Sequence, residues 1–193
     1  MEFWKICRVL KNPIRLALLR EIAESPRRAQ NVLQAGEHVG QKKSVTSQYL
    51  KKLVETRLLS VERTGPYTIC TSGHQIQSPV ARLQLALASH FAKDPVGKND
   101  ADILKLANAL AHHGRIRILR LVAEHSGIRF AELAEKADFP FTTLRRQLGV
   151  LIDAGIIAPN EGKDGLRTYS LARQHVPLFR TMVSLALDIR LVQ

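Results

Sequence analysis

Two stretches of the chain, about a hundred residues apart, share one pattern of apolar and polar positions. They are residues 44–59 and 142–157. In each stretch apolar residues recur every three to four positions, which is typical of a helix with one buried side. The other side carries Ser, Thr, Gln, Lys and Arg, with no acidic residue before Glu55 or Asp153. Because a helix that only faces water normally mixes charge signs, this pattern indicates a surface that binds an anion.

The rest of the first half consists of further apolar periods separated by turn residues. These periods predict helices over residues 3–10, 13–24 and 27–35, the basic helix from Ser44, strands over residues 58–62 and 67–71, and a helix over residues 77–93. Asn12 is expected to cap the second helix and Gly36 to end the third. On the second helix the apolar stripe predicts that Arg15, Arg20 and Glu21 point outward.

The second half repeats this order of elements. Its pattern predicts helices over residues 102–111 and 130–137, a helix ending at Glu124, the second basic helix, strands over residues 156–159 and 167–171, and a closing helix from Val176 to Leu191. Residues 10–24 and 110–124 align without a gap, with identities at Leu10, Arg15, Leu19, Arg20, Ala23 and Glu24. We infer an internal duplication, with a first domain over residues 1–93, a linker over residues 94–100 and a second domain over residues 101–193.

Composition and charge narrow the class of protein. A chain of 193 residues can hold two small domains or one large one, and with 45% hydrophobic residues it can build proper cores, so global disorder is not expected. The net charge is +12; residues 1–98 carry 16 Lys and Arg against 7 Asp and Glu, and residues 99–193 carry 13 against 10. This excess favours a polyanionic partner, either nucleic acid or an acidic membrane surface.

Several classes of protein find no support in the sequence. Cys7 and Cys70 form no CxxC or CxC pair, which argues against a disulfide framework or a thiolate metal site. No Gly-rich phosphate loop, metal-ligand cluster or nucleophile–base pair is visible, so we expect neither enzyme activity nor a cofactor. No stretch approaches the roughly 20 apolar residues of a membrane span, and Lys5, Arg8 and Lys11 interrupt the apolar start. We expect a cytoplasmic, nucleoid-associated protein without membrane contact.

Five segments of the chain carry a resemblance to a known family. They are LANALAHHGRIRILRLVAE (106–124), FAELAEKADFPFTTLRRQLGVLIDAGII (130–157) and GLRTYSL (165–171), with a weaker match in LKNPIRLALLREIAE (10–24) and SVTSQYLKKLVETRLL (44–59). Each half resembles a winged helix-turn-helix domain of the ArsR/SmtB type of bacterial and archaeal transcriptional regulators. The resemblance implies a mainly α fold with small β-hairpin wings. It also implies a covalent pseudo-dimer of tandem domains, because members of this family usually act as dimers.

The candidate DNA-binding residues follow from which side of each helix is apolar. A helix fits the major groove of double-stranded DNA, where Arg can make bidentate contacts with guanine and Gln with adenine. The outward residues are Ser44, Ser47, Gln48 and Lys51 on the first basic helix, and Thr142, Thr143, Arg145 and Arg146 on the second. Basic residues before the helices or in the wings are expected to contact phosphates, and these are Lys42, Lys43, Arg63, Lys163 and Arg167.

Some features of the family and of its function stay open at this point. The Cys-x-Cys pair or last-helix acid and His set of the family's metal sensors is absent, so no metal is predicted and no inducer is visible. His112 and His113 are expected to cap a helix. The broad apolar surface from Val176 to Leu191 leaves room for self-association. The alternative function is a tandem winged-helix protein–protein interaction module of a chromosome-organising or transcription assembly.

Overall fold

The structure is a computed structural model that describes residues 2–24, 30–64, 67–71, 78–162 and 165–188. The chain divides into two compact units. The first unit is Val9–Leu104, and the second combines Glu2–Arg8 with the residues from Lys105 onward. The first unit therefore takes in residues 94–100, the predicted linker. Within the described ranges, no helix has the length and apolar character needed to cross a membrane.

Helices predominate in the first part of the chain, in the predicted order. The elements are α1 (Phe3–Leu10), α2 (Pro13–Glu24), β1 (Gln30–Asn31), α3 (Val32–His38), α4 (Lys43–Glu55), β2 (Ser60–Thr64), β3 (Tyr67–Thr71) and α5 (Pro79–Lys93). Asn12 caps α2 as predicted, because its side-chain oxygen accepts a hydrogen bond from the Arg15 backbone N–H at 3.0 Å. The two-residue strand β1 was not predicted.

The second part has the same order of elements as the first. The elements are α6 (Asp100–Leu110), α7 (His113–Glu124), β4 (Ile128–Arg129), α8 (Phe130–Ala137), α9 (Phe141–Asp153), β5 (Ile157–Glu161), β6 (Arg167–Leu171) and α10 (Pro177–Leu187). The predicted closing helix is too long, because Asp188 already has an extended backbone with φ −67° and ψ 111°. Residues 189–191 of that prediction lie outside the described part of the chain.

Each unit contains a small antiparallel sheet of three strands. The strand orders are β1-β3-β2 and β4-β6-β5. In the second unit Ala158 of β5 is paired with Ser170 of β6, and Ile128 of β4 with Tyr169. One helix lies at the centre of each unit: α2 packs against α3, α4 and α5, and α7 packs against α8, α9 and α10. A mostly helical fold with a small antiparallel sheet is consistent with a winged helix.

Arg20 of α2 does not point outward, contrary to the prediction. Its side chain is buried, with 9% exposed, and its guanidinium lies 4.4 Å from the centre of the Phe91 ring. Its Nη1 donates to the backbone oxygen of Asp94, and its Nη2 donates to the carboxylate of Asp100. The apolar period could not show this, because these partners follow α5, more than seventy residues along the chain.

Gly36 does not end the third helix, because α3 continues to His38. A Cβ atom at Gly36 would lie 2.5 Å from Oγ1 of Thr46 on α4. The glycine is therefore explained by the close approach of two helices, and not by a helix terminus.

Residues 94–99 form a defined turn. Asp94 is buried, and its carboxylate accepts hydrogen bonds from the backbone N–H groups of Lys98 and Asn99 at 3.0 and 2.8 Å. The bond from Asn99 is the main reason why the pKa of Asp94 is lowered. Helix α6 then begins at Asp100, so the Pro- and Gly-containing segment connects α5 to α6 through a hydrogen-bonded turn.

Candidate nucleic-acid interface

The outer surface of α9 carries two neighbouring arginines without an acidic partner. Arg145 and Arg146 are exposed, and neither forms a hydrogen bond or ion pair with a residue in the described ranges. Thr142 is exposed beside them, and Thr143 is half-buried. The first acidic residue of the helix is Asp153, its last residue. This surface presents guanidinium and hydroxyl groups of the kind that contact phosphates and base edges.

The inner side of α9 fixes the helix to the rest of its unit. Leu148 and Leu151 are buried there, as predicted, together with Leu144. Gln147, with only 7% of its surface exposed, accepts a hydrogen bond at Oε1 from Nη1 of Arg115 at 2.9 Å. Packing and this bond together hold the outer residues of α9 in a fixed orientation.

Arg115 differs from the two outer arginines because its guanidinium is used inside the unit. Its Nε donates to the backbone oxygen of Ala109 and its Nη2 to that of Asn108, each at 2.6 Å. Burial lowers the pKa of Arg115, and the charge of Arg146 lowers it further. Arg115 therefore joins the C-terminal end of α6 to α9, and its charge adds to the positive potential around Arg146.

The two ends of α9 differ in how they are capped. Pro140 precedes the helix without a side-chain cap, and the first turn contains no acidic residue. At the other end Gly155 has a left-handed conformation, with φ 67°, and its backbone oxygen accepts a hydrogen bond from Nε2 of Gln174 at 2.6 Å. The positive end of the helix dipole thus stays available near Thr142, where a phosphate is favoured.

The wing of the second unit is the hairpin of β5 and β6. Arg167 is exposed at the start of β6, opposite Glu161 in the strand register. Lys163, the other wing residue predicted to contact phosphate, lies outside the described residues. The structure therefore positions Arg167 on the wing and leaves Lys163 a prediction.

Helix α4 of the first unit has a comparable outer surface, with lysines in place of arginines. The exposed residues there include every candidate predicted for this helix and its approach: Lys42, Lys43, Ser44, Ser47, Gln48 and Lys51. Leu50 and Leu53 are buried on the opposite side, as predicted. Lys52 is paired with Glu55 at 2.7 Å, and this bond lowers the pKa of Glu55. Arg63 lies in β2, but its side chain is outside the described part of the structure.

Sequence analysis missed one exposed residue at the start of α9. Phe141 is the first residue of the helix and is 59% exposed, and its ring meets that of Phe130 edge to face, with centroids 5.5 Å apart. Its spacing from Leu144 and Leu148 continues the apolar stripe, so the pattern alone assigns it to the core. Only its place in the first turn, next to Thr142, could have signalled that it is exposed.

His112, His113 and Cys7 have structural roles. Nδ1 of His112 accepts a hydrogen bond from the Gly114 backbone N–H at 3.1 Å, which confirms the predicted capping role, and His113 stacks on His112 with ring centroids 4.8 Å apart. Cys7 is fully buried, and burial raises the pKa of its thiol. In the part of the chain that the structure describes, no group of three His, Cys, Asp or Glu residues could hold a metal ion.

The comparison with protein families identifies a domain in the second unit. Residues 115–158 match the family described as winged helix-turn-helix DNA-binding. The match begins at Arg115 in α7 and ends in β5, so it includes Gln147 and the Arg145–Arg146 pair. Comparisons with curated proteins and with solved structures found no match. The chain therefore contains a winged helix-turn-helix DNA-binding domain at residues 115–158, which supports a role as a DNA-binding regulator.

Proposed function

We propose that the protein is a sequence-specific transcriptional regulator of double-stranded DNA, in which α9 enters the major groove. Arg145 and Arg146 contact base edges, with guanine as their preferred base, and Thr142 and Thr143 contact bases or the adjacent phosphates. The observation that carries this proposal is that both arginines are exposed and have no partner among the described residues. An exposed, unneutralised guanidinium on a rigid helix is available for a bidentate contact.

Phosphate contacts supply affinity for any duplex, and the base contacts determine which sequence is preferred. The net charge of +12 provides a sequence-independent attraction to DNA, which falls as salt rises. We assign phosphate contacts to Arg167 and Lys163 in the wing of the second unit, and to Lys42, Lys43 and Arg63 in the first. Such contacts set the position of a protein on the duplex, whereas the residues of α9 distinguish sequences.

We propose further that Val9–Leu104 is a second winged helix-turn-helix domain and that both domains are of ArsR/SmtB type. The order of elements supports this, and so do matching internal contacts. Nη1 of Arg15 donates to the backbone oxygen of Val9 at 3.4 Å. Nε of Arg115 donates to the backbone oxygen of Ala109, and both residues of this bond lie 100 positions after those of the first. The Arg15 guanidinium lies 5.4 Å from the centre of the Tyr49 ring on α4, as Arg115 contacts Gln147 on α9.

The turns after α4 and α9 also match. Arg57 has φ 60° and Gly155 has φ 67°, so a left-handed residue ends each helix at the same distance from its last turn. The backbone oxygen of each accepts a hydrogen bond from a glutamine side chain, Gln84 at 2.9 Å and Gln174 at 2.6 Å. These shared details support the proposal of two copies that act on one duplex as a covalent pseudo-dimer.

The test is selection of bound duplexes from a random pool, repeated at two salt concentrations. We expect one enriched sequence, with affinity that falls steeply as salt rises. Two half-sites about one helical turn apart support the pseudo-dimer. If only a single half-site is enriched, only one unit recognises bases.

Variants of the exposed arginines, with a matched control, test which residues contact the bases. Replacing Arg145 and Arg146 by Ala is expected to cost roughly 1–3 kcal/mol of binding free energy per lost base contact, and to relax sequence preference. Arg180→Ala removes an exposed arginine from α10 and serves as the control, with unchanged preference. If the double variant keeps both affinity and preference, α9 is not the recognition helix. If the protein binds no duplex, the regulator proposal fails and the protein-interaction alternative replaces it.

A further inference from the structure

Phe141 is an exposed aromatic residue at the first position of the proposed recognition helix. Among the Phe, Tyr and Trp side chains that the structure describes, it is the one that is exposed. Its single ring contact, with Phe130 at 5.5 Å, leaves 59% of its surface open to solvent. A ring exposed to this extent keeps apolar surface that a contact in the bound state can bury, and its place at the first position of α9 puts that surface within the proposed interface.

The geometry of α9 places Phe141 beside an arginine of the proposed interface. Phe141 and Arg145 are four residues apart, so their side chains lie on the same side of the helix, about one turn from each other. The residues at the N-terminal end of a recognition helix are those that reach the base edges in the major groove. Phe141 is therefore at the end of α9 that approaches the bases most closely.

The depression beside the Phe141 ring, on the side away from Thr142, is a poor site for a phosphate. The shallow depression beside the ring is lined by Glu135, Asp138 and Pro140, together with alanine side chains. Two carboxylates repel phosphate oxygens, and a phenyl ring offers them no hydrogen-bond donor. The apolar group that the major groove does present is the C5-methyl group of thymine.

We propose that Phe141 is a specificity-determining residue that packs against the C5-methyl group of a thymine in the bound site. This inference rests on the proposed function of α9 and adds one base to what it recognises. Side chains one helical turn apart are about 5–6 Å from each other, and successive bases rise by about 3.4 Å. The thymine therefore lies within about two base pairs of the base that Arg145 contacts.

The test removes the methyl group without changing the base pair. Each thymine of the selected duplex is replaced in turn by deoxyuridine, and the Kd for the intact wild-type protein is measured. We expect one or two positions near the Arg145 contact to weaken binding about fourfold, the loss that corresponds to one buried methyl group. Deoxyuridine at the other positions is expected to leave the Kd unchanged.

A second arm assigns the effect to the ring. Phe141→Ser is expected to bind the thymine duplex about fourfold more weakly than wild type does. It should bind the deoxyuridine duplex with the same Kd as it binds the thymine duplex. Phe141→Leu, which keeps an apolar side chain, should retain part of the discrimination. Because the deoxyuridine series uses the wild-type protein, it remains decisive even if a variant fails to fold.

The outcomes separate this inference from the proposed function. The inference alone is overturned if a preferred duplex is bound but deoxyuridine has no effect at any position, or if Phe141→Ser keeps the wild-type discrimination. A selected site without thymine within about two base pairs of the Arg145 contact also overturns it. Absence of any preferred duplex overturns the proposed function and this inference together.

Discussion

Nη1 of Arg115 donates a hydrogen bond to Oε1 of Gln147 at 2.9 Å, and this bond joins the first helix of the matched domain to the helix that carries the exposed arginines. Gln147 is buried on the inner side of α9, one position after Arg146. The same guanidinium holds two backbone oxygens at the end of α6. The orientation of the outer surface of α9 therefore depends on an arginine that is itself not on that surface.

Removing the acceptor of this bond should destabilise the domain. Gln147→Leu introduces an apolar side chain of similar size, which cannot accept a hydrogen bond and so leaves Nη1 of Arg115 without this partner. A hydrogen bond to a charged group contributes about 1.5–3 kcal/mol, so we expect a loss of that size in the free energy of unfolding, measured by urea denaturation. Arg146→Ala, at the adjacent exposed position, should change stability by less than about 0.5 kcal/mol. Equal unfolding midpoints for Gln147→Leu and wild type would contradict the structural role.

The left-handed residues after α4 and α9 allow reciprocal substitutions. A non-glycine residue in this conformation costs roughly 1–2 kcal/mol, so Arg57→Gly should stabilise the protein by about 1 kcal/mol. Gly155→Ala should destabilise it by a similar amount, about 1 kcal/mol, through the backbone alone, because a Cβ atom there meets nothing within 4 Å. Arg57→Ala is the control for loss of the side chain and should give no gain. Thermal unfolding of the three variants beside wild type distinguishes these results.

The stability of the folded protein should decrease in acid because His112 becomes protonated. Burial lowers the pKa of His112 below its ordinary value of 6.5, and the charges of Arg115, His113 and Arg146 lower it further. As pH falls below 6.5 the unfolded state binds a proton first, so the stability present above that pH is lost progressively towards the folded-state pKa. Protonation also removes the Nδ1 acceptor that caps Gly114. Urea midpoints measured from neutral to mildly acidic pH should show this decrease.

Two variants separate the cap from the titration of His112. Asparagine is also a good N-cap but does not titrate, so His112→Asn should preserve stability at neutral pH and reduce its decrease in acid. His112→Ala should lower stability across the whole range, because the cap is lost at every pH. An unaltered pH dependence in both variants would assign the effect to other groups.

Lys51 tests whether the first unit touches DNA. It is exposed on the outer surface of α4 and forms no hydrogen bond or ion pair with the residues whose side chains are described, although its charge contributes to the lowered pKa of Glu55. If it contacts a phosphate, Lys51→Ala should weaken all duplexes alike and reduce the slope of log K against log salt by about 0.9. Lys105→Ala removes an exposed lysine from α6 and is the matched control. If Lys51→Ala leaves the slope of log K against log salt unchanged, Lys51 does not contact a phosphate.

The local chemistry of the sequence predicted much of the fold. Leu50, Leu53, Leu148 and Leu151 are buried because their spacing puts them on one side of a helix, and the polar residues between them are exposed for the same reason. Caps at Asn12 and His112 were also predictable, since each is satisfied within three residues. The two short strands β1 and β4 were not, because two residues carry no period and their pairing partners are far along the chain.

The sequence by itself determined the order of the helices, which leucines form the inner sides of α4 and α9, and that these two helices present basic and hydroxyl groups on the other side. Only the tertiary structure decided what each arginine does. Arg20 and Arg115 have internal hydrogen-bond partners at distant positions in the chain, whereas Arg145 and Arg146 have none in the described ranges and remain exposed. An arginine side chain is long enough to reach backbone oxygens of other elements, so its partners depend on how the helices pack, which a pattern of neighbouring residues does not contain. Phe141 shows the converse, because its spacing assigns it to the core and the packing of the first turn of α9 leaves it exposed.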